Sequence, residues 1–118
     1  MISTVLVAIV ALEHIFILYL EMFLWTKPAG RKAFGMTQEL AEASKVLAAN
    51  QGLYNGFLAA GLIWGLVHPN PEIGFEVKLF FTSCVLIAAI YGGLTANRRI
   101  IVIQGAPALL ALGSLLLL

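Results

Sequence analysis

The sequence predicts an all-α integral membrane protein, a four-helix bundle with both termini on the outer side. Three observations lead there. Of 118 residues, 61% are hydrophobic and only 11% charged, with a mean hydropathy of +0.98; soluble domains average about 45–50% apolar and about 25% charged. The apolar residues gather into four segments, each close to the roughly 20 residues that a helix needs to cross a bilayer. The basic residues collect in the first and third connections, which agrees with an even number of crossings and short cytoplasmic loops.

Composition also excludes. A formal net charge of +1 makes no case for nucleic acid or for a strongly acidic partner. Cys84 is the single cysteine, so neither an intrachain disulfide nor a cysteine-based metal site is available. The whole of residues 1–118 is expected to form one transmembrane domain in the cell membrane, with helices at about residues 2–25, 38–67, 71–96 and 100–118.

Segment I, ISTVLVAIVALEHIFILYLEMFLW, ends in an aromatic residue suited to the membrane interface. It lacks the basic start and small-residue cleavage site of a signal peptide and is too long for one, so it is expected to be a retained first crossing. The stretch TKPAGRKAFGMT follows, with Lys27, Pro28, Gly30, Arg31, Lys32 and Gly35, and reads as a loop with helix-breaking punctuation.

Thr37 is placed to cap segment II, whose opening QELAEASK is amphipathic and suits headgroup level; the crossing itself is expected at residues 46–67. Gly52, Gly56 and Ala60 form a small-residue stripe on this segment, equally suited to packing within the bundle and to a homo-oligomer. Asn70-Pro71-Glu72 then reads as an N-cap, a proline at the first helical position and an acid favourable to the helix N-terminus. Segment III ends at the basic turn Asn97-Arg98-Arg99. In segment IV, Pro107 removes a backbone donor and is expected to kink the helix near Ile103.

Segment I carries Glu13, His14 and Glu21. An ionisable group at membrane depth is costly, faces protein or water, and marks a candidate functional site. With a rise of about 1.5 Å per residue, Glu21 lies roughly 6 Å from the cytoplasmic end and Glu13 and His14 roughly 16–18 Å in. At about 100° per residue, His14 and Glu21 fall within about 20° of each other and Glu13 within about 100° of both.

Segment II brings Asn50, Gln51, Tyr54 and Asn55 to a similar depth, segment III adds Tyr91 and segment IV adds Gln104. The amides and hydroxyls can act as interhelical glue, and Glu21 can extend toward headgroups. Two carboxylates and a histidine also suit general acid/base work or proton shuttling. With no Glu-x-x-His repeat and no histidine pair, no metal site is predicted, and no cofactor is identified.

Glu13-His14 with Glu21, the AANQGLYNG run, Tyr91-Gly92-Gly93 and Gln104-Gly105-x-Pro107 together resemble the small bacterial four-helix membrane proteins grouped as a domain of unknown function. The resemblance covers nearly the whole chain and implies four crossings, with no assigned substrate or cofactor. AANQGLYNG is also faintly similar to the amide-rich helix of the membrane-associated eicosanoid and glutathione metabolism proteins, but Asn55 stands where that pattern usually has a glutamate.

Three functions fit these residues. One is an intramembrane enzyme or binding protein for a small lipophilic molecule, with Glu13, His14 and Glu21 as chemical groups and Asn50, Gln51, Tyr54, Asn55, Tyr91 and Gln104 as ligand contacts. A second is an oligomeric proton- or cation-coupled transporter or channel subunit. The third is a structural or regulatory membrane subunit whose polar residues only specify packing. The expected partners are the lipid bilayer, a lipid-like molecule and further copies of the chain.

Overall fold

The computed structural model describes all of Met1–Leu118, and its regular structure is helical throughout. In chain order there are α1 (Ile2–Phe23), α2 (Pro28–Phe34), α3 (Gln38–Val67), α4 (Pro71–Thr95), a π-helical turn (Ile101–Gly105) and α5 (Ala106–Leu117).

The helices α3 and α4 are capped by the residues that the sequence marks. Thr37 Oγ1 accepts a hydrogen bond from the Leu40 N–H at 3.1 Å, and Asn70 Oδ1 accepts from Glu72 and Ile73 N–H at 2.9 and 3.3 Å. Each satisfies amide donors that the first helical turn leaves without a partner.

Two regions differ from expectation. The first connection is not all loop, because residues 28–34 form α2. Pro28 sits in the first turn, where its missing N–H costs nothing, and Gly35 closes the helix at φ 64° with its N–H on the Arg31 carbonyl. Gly30 is buried so tightly that a Cβ there would collide with the Leu24 carbonyl. Proline and glycine here start and seat a helix.

The second difference lies in segment IV, where residues 101–105 form a π-helical turn that runs without a break into α5. Pro107 has no N–H to offer the Ile103 carbonyl. The wider π turn shifts the register so that the proline falls in the first turn of α5, where no donor is needed.

The chain forms two compact units: Met1–Glu13 with Leu58–Leu118, and His14–Phe57. In the first, Val7 and Val10 of α1, Leu62 of α3, Val85 of α4, and Ala108 and Ala111 of α5 make a fully buried core. Glycines bring α3 and α4 close, since a Cβ on Gly74 would lie 2.8 Å from the Gly65 carbonyl oxygen. In the second unit Gly52 and Gly56 of α3 pack within the chain: a Cβ on Gly52 would lie 2.7 Å from Met22 Cγ and 3.0 Å from Glu21 Cβ.

By length and composition, α1 and α4 are able to cross a membrane. The polar run Asn50, Gln51, Tyr54 and Asn55 dilutes the apolar character of α3, and α5 has only 12 residues.

Candidate functional site

The second unit contains a carboxylate that is both buried and held. Glu21 lies near the end of α1 with 3% of its surface exposed. Its Oε1 accepts a hydrogen bond of 2.6 Å from Asn55 Nδ2 of α3, a residue 34 positions away. The close approach at Gly52 is what permits this: with no side chain there, α3 lies against the Glu21 Cβ, and Asn55, nearly one turn on, meets the carboxylate head.

Glu21 opens onto a cavity of about 350 Å³, lined also by Met22, Phe23, Trp25, Thr26, Lys45, Val46, Ala49 and Asn50. Its size lies in the range of small-molecule sites, about 300–1,000 Å³. Its lining mixes apolar and aromatic side chains with polar groups of both charge signs, Glu21 on α1 and Lys45 on α3.

The supporting side chains are fixed by neighbours. Trp25 Nε1 donates to Ser44 Oγ at 3.0 Å, and its ring lies 4.9 Å from that of Phe34 of α2. Lys45 Nζ pairs with Glu42 at 3.2 Å on the exposed side of α3, and Asn50 Nδ2 donates to the Val46 carbonyl at 2.9 Å. Such a site can receive a molecule with a polar, hydrogen-bonding head and an apolar body.

Of the nine residues singled out from sequence, Glu21, Asn55 and Asn50 meet around this cavity and its carboxylate. His14 belongs to the same unit and is 1% exposed. Gln51 is exposed, and Tyr54 is 65% exposed with its ring edge-on to Phe57. Glu13, Tyr91 and Gln104 belong to the first unit: Glu13 Oε1 is buried with no hydrogen-bond partner, Tyr91 is 70% exposed, and Gln104 lies in the π turn.

Trp25, Thr26 and Lys45 join the cavity without having been singled out. Trp25 stands four residues after Glu21, the spacing of one helical face, and this was the available signal. Lys45 closes the run that reads as a headgroup-level stretch, and only the packing of α3 onto α1 brings it to the cavity.

Fold and site together define a small all-helical protein with ionisable residues on helices that are apolar enough to span a bilayer. The chain belongs to the family described as a protein of unknown function, DUF1304, which matches residues 8–116 and so takes in every candidate residue. It is 37% identical over 112 residues to "Uncharacterized protein YpaA" of Lactococcus lactis subsp. lactis, covering 93% of this chain and 92% of that protein. No solved structure matches the chain.

Proposed function

We propose that the protein crosses the cell membrane four times, with both termini outside, and binds a small lipophilic molecule with a polar head in the cavity at Glu21. The observation that carries this reading is the Glu21 carboxylate, buried within a helix able to span, held by Asn55 and open to a cavity lined in part by aromatic side chains. Packing alone would be served by amides, without the cost of a buried acid.

The helix surfaces support the membrane part. On α1, Leu12 and Phe16 are 65% and 60% exposed, and on α4, Phe80 and Ile87 are 63% and 67% exposed. Soluble monomers rarely expose apolar surface on this scale. Trp25, with Lys27, Arg31 and Lys32 just beyond it, suits the cytoplasmic interface, and this supports a cavity that opens at headgroup level with Glu21 one turn further in.

The test is to purify the protein in a mild detergent and analyse co-purifying small molecules by mass spectrometry, comparing wild type with Glu21→Gln and with Ala49→Trp, which fills the cavity. A molecule retained by wild type and lost from the filled variant supports the reading. If nothing is retained, or the same molecules bind all three proteins, the reading is wrong.

A second reading, proton- or cation-coupled transport by an oligomer, draws on Glu13. Its Oε1 is buried with no protein partner, as a proton- or ion-binding carboxylate would be. Flux into liposomes that persists unchanged in Glu13→Gln removes this reading.

A further inference from the structure

The first unit holds a second cavity of a different kind. It measures about 420 Å³ and its walls are apolar: Leu86 and Ile90 of α4 on one side, and Ile101, Val102, Gly105 and Leu109 of the π turn and α5 on the other. Residues 86 and 90, and residues 101, 105 and 109, are each spaced by four. The cavity is therefore a groove running lengthwise between the two elements.

The π turn makes this groove. Gly93 lets Ile101 press onto α4, and Gly105 carries no side chain to fill the floor, where a Cβ would lie 3.5 Å from that of the buried Ala89. Ile90, Val102 and Leu109 remain 45%, 67% and 58% exposed along the walls, so the groove opens sideways from the unit.

Charge stands close by in the chain: Arg98 and Arg99 lie three and two residues before Ile101 of the groove wall and are exposed. The turn is pinned by one side-chain and one backbone bond: Asn97 Oδ1 accepts from the Arg99 N–H at 2.9 Å, and the Arg98 carbonyl accepts from the Ile101 N–H at 3.1 Å. Neither guanidinium has an ion-pair partner, since the one salt bridge joins Lys45 to Glu42. Glu72 and Glu76 lie at the opposite end of α4, about 30 Å away along the helix.

We propose that this groove binds one anionic glycerophospholipid, an acyl chain lying along Leu86, Ile90, Val102 and Leu109 and the phosphate on Arg98 and Arg99. The proposal rests on the reading of the chain as a membrane protein and is independent of the cavity at Glu21. Charge complementarity selects the occupant. An uncharged apolar partner would leave two guanidiniums without counter-charge, whereas a phosphate accepts their paired donors. A basic site beside helices on the cytoplasmic side is the arrangement that recognises anionic headgroups.

Native mass spectrometry of the detergent-purified chain, titrated with phosphatidylglycerol or phosphatidylcholine, tests this. Wild type is expected to retain one phosphatidylglycerol about 30-fold more tightly than phosphatidylcholine, the ratio that two interfacial arginines supply. Arg98→Gln with Arg99→Gln should reduce that to parity, Leu109→Trp should lower binding of both lipids, and Lys27→Gln with Lys32→Gln should leave the preference intact.

Equal binding of the two lipids by wild type overturns the proposal, as does a preference that survives the arginine changes or vanishes with the lysine changes. Should the arginine double variant lose its helical circular dichroism, wild type alone decides. Its melting temperature must rise more with phosphatidylglycerol than with an equal concentration of phosphatidylcholine, and an equal or smaller rise overturns the site. Carbonate extraction separates the two claims: release of the chain from membranes rejects the membrane reading itself, while retention without lipid preference rejects only this groove.

Discussion

Asn55 of α3 donates its side-chain amide to the Glu21 carboxylate of α1 at 2.6 Å, a bond between residues 34 apart at a site where water has little access. Removing either partner should have unequal consequences. Asn55→Ala leaves a buried carboxylate without its donor, and such an orphan costs about 1–3 kcal/mol. Glu21→Gln keeps an acceptor for Asn55 and should cost less. Thermal unfolding in detergent across the double-mutant cycle reads the coupling, and losses that simply add in the double variant would show that the bond contributes nothing specific.

Two glycines should respond oppositely to the same substitution. At Gly30 a Cβ would collide with the backbone carbonyl of Leu24, which cannot rotate away, so Gly30→Ala should lower stability by about 1–3 kcal/mol. At Gly113, inside α5, a Cβ meets nothing within 4 Å. There alanine only removes the entropy penalty of a helical glycine, and Gly113→Ala should gain about 0.5–1 kcal/mol. Melting temperatures of the two variants, moving in opposite directions from wild type, are the check.

These contrasts also explain what the sequence could disclose. Caps are local, so Thr37 and Asn70 were readable from a few neighbours, and the all-helical class followed from apolar runs. Whether Gly30 breaks or seats a helix depends on Leu24, and the π turn before Pro107 depends on how residues 101–105 meet Gly93. The candidate site divides in the same way. Periodicity put Glu21 on the polar face of α1, but choosing Asn55 over Gln51 and Tyr54 as its partner requires the close approach at Gly52.

The Trp25 indole gives the cavity wall a spectroscopic handle. Its N–H donates to Ser44 Oγ at 3.0 Å, and the exposed Trp64 is the other tryptophan. In a Trp64→Phe background, Ser44→Ala should shift Trp25 emission and reduce stability by about 0.5–1.5 kcal/mol, the net worth of one hydrogen bond. Trp25→Phe should cost about as much on its own and no more when Ser44→Ala is added. Emission indifferent to Ser44 would mean that the bond does not form in solution.

Thr82 of α4 sets the sharpest test of packing against function in the first unit. It is fully buried, and its Oγ1 has no hydrogen-bond partner. The neighbouring Ser83 hydroxyl donates to the Leu79 carbonyl at 2.7 Å, and Thr95 donates to that of Tyr91 at 2.7 Å, so the usual outlet for a helical hydroxyl is available on this same helix. Thr82 does not use it. Valine has nearly the same shape without the oxygen, and Thr82→Val should therefore raise stability by about 1–2 kcal/mol by removing an unsatisfied buried group. Thr82→Ala removes the same oxygen but also a methyl from a closely packed site, and should lose stability. A melting temperature that rises for valine and falls for alanine identifies the hydroxyl as an uncompensated group. If valine destabilises as much as alanine, the hydroxyl has a partner that side-chain packing alone does not provide, and a buried water or ligand at Thr82 becomes the next object of search.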